Sequence, residues 1–179
     1  MSMAEAIVAD AAAIAAVKTY LRIGDDGEDA AIAALIAAAI GYCEQFTGQM
    51  LVTRVIEEQA RAVSGWQRLS RGPVSTVSGV VGRMGAGAPF TLPVEAYAID
   101  IDAAGDGWVR IGSTGAATRV TVTYSAGMAT TWSGLPEPLR QGVIRLASHL
   151  YAHRDAPDEG PPPAAVAALW RPWRRMRLV

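Results

Sequence analysis

Apolar residues near the start of the chain recur at the three- and four-residue spacing of amphipathic helices. Behind a candidate N-cap at Asp10, the first stripe consists of Ile14, Val17 and Leu21. A glycine- and aspartate-rich break at 24–27 separates it from a longer stripe, which ends before Gly48, a usual terminating residue. The members of the longer stripe are Ile32, Leu35, Ile36, Ala39, Ile40 and Cys43. The pattern predicts an N-terminal pair of antiparallel helices within residues 1–50.

Between residues 51 and 125 the period shortens to the strict alternation of β-strands. Five segments are rich in Val, Ile, Thr and aromatic residues, and glycine- and proline-containing turns separate them. The segments are 52–62, 76–83, 94–101, 107–111 and 118–124. They predict a small antiparallel β-sheet inserted between the helical regions.

Helical spacing returns in residues 126–157, where two prolines stand at the expected start of a third helix. Its apolar stripe is Leu139, Val143, Leu146, Ala147, Leu150 and Tyr151. Residues 158–179 form a proline-rich linker and a C-terminal segment rich in arginine and tryptophan. We therefore expect an α+β fold, with a helical bundle core of about four helices and the small antiparallel sheet inserted.

The charge distribution is polarised although the net charge of the 179 residues is only -1. Residues 1–60 sum to -6, residues 61–133 to +2 and residues 134–179 to +3, and 15 of the 16 basic residues are arginine. Such a gradient suits head-to-tail contacts between copies. A GC-rich genome is the alternative explanation for the arginine content.

A single cysteine excludes a disulfide scaffold, and the absence of 18 consecutive apolar residues or a basic leader predicts a soluble intracellular protein.

Candidate catalytic and metal-binding residues do not form complete sets. His149 and His153 have the i,i+4 spacing of zinc ligands, but the intervening residues lack the metalloprotease glutamate and Arg145 on the same face would repel a cation. The aspartates near Gly105 lack two of the ligands of a calcium loop, and a hairpin turn explains them. We therefore predict no catalytic, cofactor or metal site, and no enzymatic activity.

The C-terminal segment is the strongest candidate for a binding function, because it combines arginine and tryptophan without an acidic residue. Its residues are compatible with a protein partner, with packing on the chain's own domain, or with nucleic acid or a membrane surface. For a protein partner, we expect exchange of Trp170 and Trp173 for alanine to abolish attachment while the monomer stays folded. The candidate binding residues are Trp170, Arg171, Trp173, Arg174, Arg175 and Arg177.

The order of several short segments resembles the head–tail connector (adaptor) proteins of tailed phages. The resemblance covers both helical regions and leaves out the inserted sheet. It is carried by Leu21-Arg22-Ile23, by 28–39 and 44–51, by Tyr124-Ser125-Ala126-Gly127, by 135–140, by 149–154 and by 163–170. An alanine- and arginine-rich sequence also suits a phage-like gene transfer agent.

The resemblance implies a structural protein made in the bacterial cytoplasm and incorporated at the head–tail interface of a virion. Such adaptors form a ring, usually a dodecamer, beneath the portal protein, extend the DNA channel and dock a stopper or tail-terminator protein. Genomic DNA passes through without specific binding, and no membrane or cofactor is implied. By position, the six C-terminal residues named above would bind the portal. The alternative is an accessory DNA- or protein-binding module that acts through this C-terminal segment.

Overall fold

A computed structural model describes residues 2–60, 65–85, 87–113, 115, 117–154 and 163–175. The chain divides into two compact units. The sheet unit comprises Met1–Glu5 and Thr53–Met128, and the helical unit comprises Ala6–Val52 and Ala129–Val179. The sheet unit is therefore built mainly from a continuous insertion between the two halves of the helical unit.

The helical unit contains four α-helices in its described residues. They are α1 (Ala11–Leu21), α2 (Asp29–Thr47), α3 (Glu137–Ala152) and α4 (Ala164–Trp170), with short 3-10 turns at Trp132–Gly134 and Arg171–Trp173. The predicted caps are confirmed: the Asp10 carboxylate accepts a hydrogen bond from the Ala12 amide at 2.8 Å, and Gly48 ends α2 with φ +70°. Helix α1 ends at Leu21, and its C-cap residue Arg22, two residues before the glycine break, adopts a left-handed conformation.

The predicted apolar stripes form the core of the helical unit. Of the stripe on α2, all members are buried except Leu35, which is half-buried. On α3 the buried residues are Leu139, Gly142, Val143, Ile144, Leu146, Ala147 and Ser148. One buried carboxyl group was not predicted. Glu44 accepts a hydrogen bond from the Leu51 amide at 2.9 Å, so this buried backbone N–H just after α2 has a partner.

Helix α2 is, in the described part of the chain, the helix that is long and apolar enough to cross a membrane by length and composition, with a mean hydropathy of 1.4. A core helix of a globular unit meets the same criterion. Here its apolar stripe is buried inside the helical unit, and the burial of Cys43 raises the pKa of that thiol well above its usual range.

The sheet unit contains two antiparallel sheets rather than one. Strands β1 (Ser2–Ala4), β2 (Arg54–Ala60), β8 (Arg119–Ala126), β4 (Val74–Arg83) and β5 (Pro89–Thr91) form a five-stranded sheet in the order β1-β2-β8-β4-β5. Strands β3 (Gln67–Arg68), β7 (Gly107–Ile111) and β6 (Tyr97–Ile101) form a three-stranded sheet in the order β3-β7-β6. The predicted α+β class with about four helices is confirmed.

Each of the five predicted strand segments overlaps one of the longer strands, although β4 begins two residues before its segment and β8 ends two residues after its segment. The Gly105 turn joins β6 to β7 as predicted. The three short strands β1, β3 and β5 were not predicted. Each has only two or three residues, which is too short for an alternating pattern to be recognised. The first of them lies at the N-terminus, where only helices were expected.

A part-buried polar network surrounds the Tyr124 hydroxyl in the sheet unit. The Tyr124 hydroxyl donates to Glu58 Oε2 at 2.7 Å, and the same carboxylate accepts from the amide and hydroxyl of Ser70. The Arg71 amide donates to the Tyr124 oxygen at 3.3 Å. Burial and the adjacent Glu58 carboxylate raise the pKa of Tyr124, so the phenol remains protonated and continues to donate.

Candidate interaction site

The C-terminal segment, defined here as residues 170–175, folds back onto the C-terminal end of α2. The Arg175 amide donates to the Thr47 carbonyl at 2.8 Å, and Gln49 Nε2 donates to the Trp173 carbonyl at 2.5 Å. These bonds satisfy a carbonyl at the end of α2, where the helix itself provides no donor. The backbone of the segment is therefore held in one position by the helical unit.

Trp170 is the residue that joins this segment to the core. Its side chain is 0% exposed, its indole N–H points at the Leu139 carbonyl at 3.5 Å, and its ring lies 6.0 Å from that of Phe46. The indole also lies directly against the backbone of α3 at Gly142, where an added Cβ would be 2.0 Å from Nε1. Packing within its own unit, one of the three alternatives, is thus what the Trp170 side chain does. A Trp170→Ala exchange therefore removes a core residue, so the stability of that variant has to be measured beside its attachment to a partner.

The other predicted residues differ in accessibility. Arg171 and Arg174 are exposed, and the Arg174 guanidinium lies 5.6 Å from the centre of the Phe46 ring. Trp173 and Arg175 are half-buried, whereas Arg177 lies outside the described residues. The exposed face of the segment thus presents two guanidinium groups, and that of Arg174 lies over the Phe46 ring.

The two histidines of α3 lie in a groove of the helical unit that we call the basic groove, about 410 Å³ in volume. The rings of His149 and His153 are 4.2 Å apart, and Arg145 lines the same groove, as the helical spacing predicted. Tyr20 of α1 and Ser148 of α3 also line the groove. Within the described residues no cluster of three or more His, Cys, Asp or Glu side chains could hold a metal ion.

A second groove, about 370 Å³ in volume, lies beside α1, and we call it the acidic flank. Ala11 and Ile14 contribute apolar surface, while Lys18 Nζ binds Asp26 Oδ1 at 2.5 Å and Asp29 Oδ1 at 2.7 Å. The hydrogen bond to Asp26, followed by that to Asp29, raises the pKa of Lys18. The same bond lowers the pKa of Asp26. Three charges are therefore held in place at the start of α2.

Another polar cluster joins the start of α2 to the end of α3. The Tyr151 hydroxyl donates to Glu28, and Arg154 Nη1 lies 3.2 Å from the other oxygen of that carboxylate. The hydrogen bond from Tyr151 is the main cause of the lowered pKa of Glu28, and the Arg154 contact adds to it. The cluster stabilises the helical unit and leaves Glu28 with two partners already bound.

Sequence analysis overlooked a tryptophan–arginine surface in the sheet unit. Trp66-Gln67-Arg68 and Trp108-Val109-Arg110 have the same spacing, and antiparallel pairing of Gln67 with Val109 sets each tryptophan opposite an arginine. The Arg110 guanidinium lies 5.2 Å from the Trp66 ring centre, and Trp66 is 46% exposed. The repeated Trp-x-Arg spacing was the signal that could have located this surface.

No protein-family model matches this sequence, and a search of curated proteins finds no match. Solved structures do match. A chain in the neck of an empty gene transfer agent particle, computed with C6 symmetry, has a TM-score of 0.76 and 26% identity. A chain of the native gene transfer agent virion has a TM-score of 0.68 and 27% identity. A chain in the native particle's neck, computed with C12 symmetry, has a TM-score of 0.68 and 26% identity.

Each of these three similarities covers 99% of this chain and 97% of the matched chain. They therefore include the inserted sheets, which the resemblance in the sequence did not cover. The predicted resemblance to head–tail connector proteins of phages and gene transfer agents is confirmed, and so is the virion neck as the place that it implies.

Proposed function

We propose that this protein is a structural head–tail connector (adaptor) that forms a ring, as a dodecamer, beneath the portal protein. The observation that carries the proposal is the similarity to neck chains of gene transfer agent particles over almost the whole length of both chains. In its most general form, the proposed role is that of a structural component of the neck. The ring extends the DNA channel and docks a stopper or tail-terminator protein, and no enzymatic step is assigned to it.

The C-terminal segment, together with Arg177 beyond it, is the proposed portal anchor. The contributing residues are Trp170, Arg171, Trp173, Arg174, Arg175 and Arg177. Trp170 acts as the internal fixing point, since its side chain is buried and offers no surface. The exposed guanidinium groups of Arg171 and Arg174 provide the accessible contacts. Because the backbone is already hydrogen-bonded to the end of α2, less conformational entropy is lost when the portal binds.

The charge balance supports passage of DNA without specific binding. Basic side chains that neutralise phosphates release counterions and so hold DNA tightly, which would oppose sliding. A net charge of -1, with acidic residues concentrated in the first third of the chain, avoids a dense positive lining. A ring of such subunits would guide DNA by shape more than by attraction.

Electron microscopy of particles from a strain that lacks this gene tests the connector role. We expect DNA-filled heads without tails beside free tails, because the joint between them is missing. Complementation with the natural gene should restore tailed particles. Normal tailed particles in the deletion strain would contradict the proposal.

The anchor is tested by exchanging both Arg171 and Arg174 for glutamate and measuring co-purification with the portal protein. We expect at least about a tenfold loss, since interface arginines commonly contribute more than 1 kcal/mol each. Exchange of both Arg83 and Arg119 for glutamate provides a matched control with the same change in charge, because both are exposed arginines of the sheet unit. Equal co-purification of the anchor and control variants would rule out these contacts.

The second candidate function is an accessory DNA- or protein-binding module that uses the same exposed arginines. It predicts that DNA binding weakens steeply with salt and disappears when residues 171–179 are removed. That truncation spares Trp170, so the core of the helical unit is retained. Salt-dependent DNA binding together with normal tailed particles in the deletion strain would favour this function over the connector.

A further inference from the structure

A closed ring of identical subunits needs two different surfaces on each subunit, since a head-to-tail contact joins one surface to the other. The basic groove and the acidic flank are two such surfaces on the helical unit. Both involve α1 but different sides of it: Lys18 faces the acidic flank and Tyr20 faces the basic groove. Side chains that are two positions apart on an α-helix, such as those of Lys18 and Tyr20, point in directions that differ by about 160°. The two surfaces therefore lie on nearly opposite sides of this helix.

The basic groove contains polar groups that the chain itself leaves without partners. Arg145 is exposed and forms no ion pair within the described residues. Ser148 is 4% exposed, and its Oγ atom has no hydrogen-bond partner in the described part of the chain. A carboxylate would pair with the exposed guanidinium of Arg145, whereas the Ser148 hydroxyl is buried too deeply for a docking partner to reach it.

The acidic flank offers that ligand chemistry. Asp26 binds Lys18 through one oxygen, yet its side chain remains 89% exposed, and the neighbouring Asp25 is also exposed. The flank itself holds the carboxylates of Asp26 and Asp29 and one ammonium group, and Asp25 beside it brings the local net charge to -2. Ile14 and Ile23 add apolar surface to the flank, as Leu21 and Ala165 do to the basic groove. The two surfaces are thus complementary in charge, and both are partly apolar.

We propose that the basic groove of one copy receives the acidic flank of a second copy, with the carboxylates of Asp25 and Asp26 directed at Arg145 and the two histidines. This inference rests on the proposed ring. A second copy is the occupant because one chain has both complementary surfaces, and because similar chains occur in necks computed with rotational symmetry. The contact joins unlike surfaces, so repeating it around an axis can close a ring.

Charge exchange in the full-length protein tests the contact. Arg145→Glu alone and Asp26→Arg alone should each lower the number of tailed particles by about tenfold or more in the complemented deletion strain. A chain with both exchanges restores opposite charges at every contact, so it should recover most of the lost particles. Arg119→Glu, an equal charge change on the sheet unit, should have no effect. Failure of the double variant to recover, when the purified variants unfold at the same temperature as the natural protein, would overturn the proposal.

Disulfide trapping in purified particles gives a second, direct measurement. In a Cys43→Ala background, Asp26→Cys and Arg145→Cys together should produce a ladder of cross-linked multimers on mild oxidation, while each single cysteine should produce no multimer beyond a dimer. Position 145 is chosen because it lies about two and a half helical turns from Arg154, which contacts Glu28 within the same chain. Tailed particles without a ladder would refute this contact and leave the connector role intact. Normal tailed particles in the deletion strain would instead refute the connector role itself.

Discussion

The close approach of Trp170 to Gly142 gives the sharpest test of how the C-terminal segment is held. A Cβ atom added at Gly142 would lie 2.0 Å from Nε1, 2.6 Å from Cε2 and 2.8 Å from Cδ1 of the indole. Carbon atoms in proteins do not approach this closely, so a Gly142→Ala exchange must move the indole or the helix. The indole belongs to a fully buried side chain, and the clash involves its ring rather than a flexible end.

The expected loss of stability is the cost of the clash with the indole minus the gain in helix propensity. Loss of a buried tryptophan from its site costs about 3–5 kcal/mol, whereas overpacking that is relieved by small shifts costs about 1–3 kcal/mol. Alanine is better than glycine inside a helix by about 1 kcal/mol. We therefore expect Gly142→Ala to lower the free energy of unfolding by about 2–4 kcal/mol, with displacement of the indole as the larger contribution.

Urea unfolding measured by tryptophan fluorescence and far-UV circular dichroism tests this expectation. Gly41→Ala is the matched control, because Gly41 also lies inside a helix and its added Cβ would meet only Ile7 at an ordinary 3.9 Å. We expect that exchange to be neutral or to stabilise by up to about 1 kcal/mol. In the combined Gly142→Ala and Trp170→Leu variant, the two losses should add to less than their sum. Equal stability of the Gly142→Ala and Gly41→Ala variants would refute the packing described here.

Two further predictions concern the polar clusters. Tyr124→Phe should lower the free energy of unfolding by about 1–2 kcal/mol, because it removes a donor to the Glu58 carboxylate and an acceptor for the Arg71 amide; an unchanged urea midpoint would contradict the role of this network. The lowered pKa of Glu28 contributes stability that is fully present above its usual value of 4.5 and is lost as pH falls through the lower value of the folded state. Glu28→Gln should therefore flatten the acid side of a stability profile measured from pH 7 to about 3, and a parallel profile would be evidence against the Tyr151 contact.

Local patterns in the sequence were enough to predict α1, α2, α3 and the longer strands, because each has a buried face with a regular period. The stripe on α2 and the alternation along β8 are examples, with Val120, Val122 and Tyr124 buried and the residues between them half-exposed. Strands β1, β3 and β5 were beyond this reasoning, since two or three residues show no period. Their pairing depends on longer neighbouring strands, which is tertiary information.

The composition of the C-terminal segment identified it as a candidate site, but it did not show which of its residues are buried and which are accessible. Arginine and tryptophan are typical both of interfaces and of amphipathic packing, so the sequence left three alternatives for the whole segment. The structure separates them residue by residue: Trp170 packs inside the helical unit, while Arg171 and Arg174 remain accessible. The discriminating signal lay 28 residues earlier, at a glycine inside an otherwise regular helix, where the missing side chain makes room for the indole.

The sheet unit shows the converse case, in which a surface is built from residues that sequence analysis did not connect. A strand places every second side chain on the same face, so Trp66 and Arg68 share a face, as do Trp108 and Arg110. Antiparallel pairing then reverses one motif against the other and gives two reciprocal tryptophan–arginine pairs. The salt bridge from Arg68 to Asp106 and the hydrogen bond from Trp108 to Asp102 hold one of these pairs to the Gly105 turn. The position of the Arg110 guanidinium over the Trp66 ring therefore follows from the pairing of the strands, and neither Trp-x-Arg motif alone would have predicted it.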